Sequence, residues 1–66
     1  MIEILLSDGH KEYAYFTPVI PPKTSVIWVG GETYQVMEDV FFRSYTTQTG
    51  YSALRPIVLV KKVKQQ

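Results

Sequence analysis

The chain has no cysteine and a single histidine, so neither a disulfide framework nor a Cys/His zinc site is there to staple it. It has no glycine-rich phosphate loop, and no apolar run approaches the ~20 residues of a membrane-crossing helix. Met1 to Asp8 carries neither a basic n-region nor a long apolar h-region. Charge of one sign is lacking too. Seven basic residues against six acidic leave a net charge of +1, which excludes a global electrostatic funnel toward nucleic acid. The lack of cysteine fits a reducing compartment, and these absences together point to a cytoplasmic protein with no membrane association and no cofactor.

Catalytic constellations are equally scarce. The one histidine, His10, sits beside Gly9 in turn-forming sequence, where a solvated role outweighs a Ser-His-Asp arrangement built on Asp8. Asp8, His10 and Glu12 alternate along an extended segment, yet three such ligands without further Cys or His make a weak metal set. Glu38 and Asp39 are adjacent and on a strand point to opposite faces, which argues against a working acid-base pair. The residues argue against an enzyme.

What is present is apolar and aromatic. Of the 66 residues 45% are hydrophobic and 14% aromatic, a generous supply for one domain spanning 1–66. A chain of this size buries only ~60% of its unfolded surface and its core supplies roughly 3–5 kcal/mol, so self-association is a natural supplement.

Two β-rich runs meet at a glycine pair in Val26-Ile27-Trp28-Val29-Gly30-Gly31-Glu32-Thr33-Tyr34-Gln35-Val36, which reads as a β-hairpin. A two-residue I′ turn places Val29 opposite Glu32 and Ile27 opposite Tyr34, leaving Trp28 on the surface. A turn one residue longer, with Gly31 in a G1 bulge, gathers Val26, Trp28, Tyr34 and Val36 on one face. The second register collects four large groups together and makes Trp28 a core residue; it is the favoured expectation.

Elsewhere, Ile2 to Leu6 reads as a strand closed by Ser7-Asp8-Gly9-His10, with Gly9 left-handed, and Glu12 to Val19 returns as a second strand ended by Pro18 and Pro21-Pro22. After Val36 the alternation slips at Glu38, and a bulge or bend at Met37-Glu38-Asp39 restores it before a strand from Val40 to Tyr45. Thr46 to Pro56 has no regular period and reads as a long functional or mobile loop, with room for one 3₁₀ turn in Gly50 to Leu54. Ile57 to Val63 is the last strand. Five strands, short turns and no helical period predict an all-β protein, a small five-stranded SH3-like barrel, with the OB type as runner-up.

The order of a polar turn, Pro21-Pro22-Lys23, Val26-x-Trp28, Gly31, Tyr34-x-Val36, Val40 and a final Val/Leu-rich strand ending in lysines resembles many small phage-encoded proteins with SH3-like barrels. The likeness covers most of the chain through hairpin and core signals and transfers no functional residue. It implies a virion component or an inhibitor of host defence, including an oligomeric sponge for signalling nucleotides.

Two binding chemistries are legible. Phe41-Phe42 and Ile57-Val58-Leu59-Val60 place apolar side chains on both strand faces, and the surplus face calls for a partner, most directly a second copy. Across such an interface Arg43, Tyr45, Tyr51 and Arg55 form a polar pocket whose guanidinium forks suit the phosphate or carboxylate of an anionic small molecule or a host protein. The alternative is single-stranded nucleic acid, stacked on Tyr13, Tyr15, Phe16, Phe41 and Tyr45 with Arg43, Lys61, Lys62 and Lys64 along its phosphates. Glu32, Glu38 and Asp39 offset those cations.

Overall fold

A computed structural model describes residues 1–63, and within them six strands and no helix. The strands are β1 (Ile2–Ser7), β2 (Glu12–Thr17), β3 (Val26–Val29), β4 (Glu32–Val36), β5 (Phe41–Thr46) and β6 (Ser52–Lys62). They make a curled half-barrel sheet in the order β2-β1-β6-β4-β3, with β5 also paired to β6. The protein is all-β, as expected, with six strands instead of five.

β6 organises the sheet. Along one of its edges β4 and β5 lie end to end, both antiparallel, from Tyr34 opposite Lys62 to Thr46 opposite Ser52. On the other edge β1 pairs in parallel, Leu5 to Ile57 through Ser7 to Leu59. Val36 faces Val60 and Phe41 faces Ile57, so five steps of chain on one side match three on β6. Two extra residues are therefore inserted. The bend expected at Met37 to Asp39 is this insertion, with Met37 N–H still donating to Leu59 C=O at 2.8 Å and Glu38 and Asp39 exposed. Because the insertion is even-numbered, the alternation of faces survives it.

Ile4 and Leu6 of β1, Val36 of β4 and Val58 and Val60 of β6 form the buried core, with Tyr15, Ile20, Ile27, Val29, Tyr34 and Val40 against it. Ile57 falls on the opposite face of β6 and is also fully buried (0% exposed), flanked in register by Leu5 and Phe41. The middle of β6 is thus covered on both sides, which its continuous apolar run requires.

The first turn behaves as its residues dictate: Asp8 Oδ1 accepts the backbone N–H groups of His10 and Lys11, each at 2.8 Å, and Gly9 is left-handed at φ 92°. β2 ends at Thr17, two residues before the expected Val19. Thr17 is buried and its hydroxyl donates to Val19 C=O at 2.6 Å, turning the chain toward the prolines.

Two expectations are corrected. In the central hairpin Val29 stands opposite Glu32 and Trp28 opposite Thr33, and Gly30 and Gly31 both have positive φ, 59° and 82°. This is the I′ register, not the G1 bulge. Ile27 and Val29 share the core face with Tyr34 and Val36, and Trp28 is 72% exposed. Tyr34 and Val36 face the core in either register; the I′ turn sets Ile27 and Val29 beside them, where the bulged turn would have set Val26 and Trp28.

The second correction concerns Thr46 to Pro56. It is not an irregular loop: β5 runs through Thr46, β6 begins at Ser52, and a tight turn joins them. Gly50 N–H donates to Thr47 C=O at 3.0 Å, Thr47 N–H donates to Tyr51 C=O at 2.8 Å, and Gly50 sits at φ 89°, the pattern of a turn closed by a G1 bulge. Pro56 lies inside β6 opposite Phe42. Counting back in twos from the Thr47–Tyr51 bond makes that pair non-hydrogen-bonded, so the missing N–H of Pro56 faces the other edge. That edge is not paired with β1, whose ladder begins at Ile57. β5 and the first half of β6 therefore leave the body as a two-stranded ribbon, and the molecule is elongated, 47 × 20 × 20 Å.

Candidate functional site

Three of the four expected site residues lie on one face of this ribbon. Arg43 is directly opposite Arg55, an arrangement of like charges that is unfavourable unless each finds its own partner. Each does. Arg43 Nη1 and Nη2 reach the Glu12 carboxylate at 3.1 and 2.9 Å, a two-pronged contact that ties β5 to the start of β2. The guanidinium of Arg55 stacks 4.6 Å from the centroid of the Tyr45 ring, diagonally across the ladder. The bond from Arg43 holds the Glu12 carboxyl below its usual range, and Glu12 in turn raises Arg43.

Tyr51 lies at the turn end of the ribbon, opposite Thr47. It closes the turn through its backbone, donating N–H to Thr47 Oγ1 at 3.0 Å, while its residue is 73% exposed. No enclosed cavity is formed among the described residues, so within one chain Arg43, Tyr45, Tyr51 and Arg55 make an open surface; the pocket was expected across an interface with a second molecule.

The opposite face of the ribbon is apolar and uncovered. Phe42 is 55% exposed and Leu54 66% exposed, with Ser44, Thr46 and Ser52 between and beyond them. Every residue of β5 is exposed, whereas β1 and β4 each bury two of theirs. The adjacency Phe41-Phe42 signalled the surplus face. Leu54 carried no signal, because an exposed strand has no hydrophobic alternation.

A second exposed aromatic surface was assigned to the core by sequence. Val26 and Trp28 lie on the outer face of the central hairpin, near Met37 and Lys61 by register. Of the cations considered for nucleic acid, Lys62 pairs with Glu32 at 3.1 Å, Lys61 is exposed, and Lys64 lies outside the described residues. Among the aromatics, Tyr15 packs against the core while Tyr13 and Phe16 are exposed. No described helix is long and apolar enough to cross a membrane. Comparison with protein-family models, curated proteins and solved structures finds no match for this chain.

Proposed function

We propose that the chain is a non-catalytic binding module whose contact element is the β5–β6 ribbon and whose ligand is a polypeptide surface. The observation that carries this reading is the exposure of all of β5, with Phe42 and Leu54 on one side and Phe41 and Tyr45 on the other. A two-stranded ribbon is marginal in water, and exposed apolar groups in one place favour a protein contact. Single-stranded nucleic acid is the weaker reading, since Arg43, Lys23 and Lys62 are each engaged with a carboxylate and the net charge is +1. A host-factor inhibitor and a virion component both work through contacts of this kind; a nucleotide sponge needs an enclosed site that a single chain does not provide.

Tagged wild-type protein and a Phe42→Ser/Leu54→Ser double variant, used side by side as bait with identification by mass spectrometry, test the reading. A partner held by the wild type and lost by the variant is the expected result. A partner retained by that variant but lost with Trp28→Ser moves the contact to the central hairpin. Binding of labelled single strands that weakens steeply between two salt concentrations, or calorimetric heat with a cyclic nucleotide, gives the protein-contact reading up.

A further inference from the structure

We infer that the free edge of β5 pairs with β5 of a second copy of this chain, antiparallel and in a register centred on Ser44. The inference rests on the proposal that the ribbon is the contact element and names its occupant. β5 has one partner strand, β6, and its other edge is unpaired among the described residues. The Thr47–Tyr51 bond fixes which groups point there: Phe41, Arg43 and Tyr45 bond to β6, so the N–H and C=O groups of Phe42, Ser44 and Thr46 face outward. An unblunted edge of this kind is a template for another strand.

Of the symmetric registers that keep the outward groups paired, those centred on Arg43 or Tyr45 close roughly four backbone bonds within the strand and the one centred on Ser44 closes the most, and the side chains agree. Centring on Arg43 sets Arg43 against Arg43 of the second copy in a close non-hydrogen-bonded pair, which is repulsive. Centring on Ser44 instead sets Arg43 opposite Tyr45 of the second copy and Phe42 opposite Thr46, and closes roughly six backbone bonds over the strand. The Arg43–Tyr45 contact repeats between copies the chemistry that Arg55 and Tyr45 already show within one chain at 4.6 Å. Arg43 keeps Glu12, because a guanidinium bonds through its rim and stacks through its face. A two-fold axis perpendicular to the sheet preserves the faces, so Phe42 and Leu54 of both copies share one side of a four-stranded sheet, and the marginal ribbon acquires the strands it lacks.

Ser44→Pro and Ser44→Cys test the pairing in the full chain. Ser44 does not bond to β6, so proline removes an outward N–H and leaves the intramolecular ladder whole. By light scattering the wild type is expected as a dimer and Ser44→Pro as a monomer, a two-fold drop in mass with an unchanged circular dichroism spectrum. The chain has no other cysteine, so mild oxidation of Ser44→Cys is expected to give a covalent dimer through a pair at the symmetry axis, and Arg43→Cys is not. Crosslinking of Arg43→Cys in place of Ser44→Cys overturns the register. A Ser44→Pro dimer alongside a monomeric Phe42→Ser/Leu54→Ser variant overturns the edge pairing and keeps the ribbon as the contact; two dimeric variants overturn both. A wild type that stays monomeric from dilute to high micromolar concentration overturns self-pairing, and the ribbon reading then stands or falls on the capture experiment.

Discussion

The central hairpin and the β5–β6 ribbon are both two-stranded antiparallel units closed by glycine turns, and they end in opposite conditions. β3 and β4 turn Ile27, Val29, Tyr34 and Val36 onto the core, while no residue of β5 is buried. The difference lies in what each unit finds beside it. β4 meets the end of β6 that carries Val60, a core residue beside Ile4 and Leu6 of β1, whereas β5 meets Ser52 to Ile57, of which only Ile57 also pairs with β1. One hairpin is held by tertiary packing; the other is held by its own ladder and one ion pair.

The largest effect is expected where the packed side is broken. Ile4→Ala should cost about 3 kcal/mol, enough to unfold much of a domain with roughly 3–5 kcal/mol in hand, while Leu54→Ala should move stability by less than about 0.5 kcal/mol. Urea titration followed by circular dichroism measures both, and equal losses would erase the contrast between the two regions. Next come the turn glycines of the packed hairpin. Gly30→Val and Gly31→Val should each cost about 1–3 kcal/mol, since both positions need positive φ and no neighbouring atom crowds either one. Gly30→Asn should be nearly neutral, and a Gly30→Val melt matching the wild type would restore the bulged turn.

A smaller effect sharpens the other side of the comparison. Glu12 is held below its ordinary value of 4.5 by Arg43, so its contribution is present at neutral pH and is lost as pH falls below that value through the carboxylate range. Asp8 adds in the same direction through the N–H groups of Lys11 and His10. Glu12→Gln should therefore flatten the acid limb of the melting curve and speed hydrogen exchange in β5, leaving β1 and β4 protected as before. The smallest change is expected at the entrance to the packed hairpin. Thr24 is β-branched at φ 75°, held there by its N–H bond to Val36 C=O at 2.9 Å and by the Ser25 N–H bond to Pro22 C=O at 3.1 Å. Thr24→Gly should raise the melting temperature by a few degrees, equivalent to at most about 1 kcal/mol.

Much of this was legible from residues alone where one local rule applied. Asp8 and Gly9 specify the first turn, Gly30-Gly31 the hairpin, and the misfit of Glu38 the two-residue insertion. Of the site, Arg43, Tyr45 and Arg55 were chosen for fork and ring chemistry and lie on one face, but the Glu12 that occupies Arg43 is 31 residues away in sequence. No spacing rule reaches across that distance.

The sequence by itself determined that the chain is all-β, that turns fall at Asp8-Gly9 and Gly30-Gly31, and that it carries more apolar strand surface than one small core can hide. Only the tertiary structure decided which faces are hidden. Val26-Ile27-Trp28-Val29 is apolar on both sides, so its own pattern did not fix its parity; the two-residue turn, with Gly30 and Gly31 both at positive φ, sets Ile27 and Val29 beside Tyr34 and Val36 on the core. Thr46 to Pro56 shows no alternation because neither face of the ribbon is buried, and an extended segment without burial leaves no periodic trace in its residues.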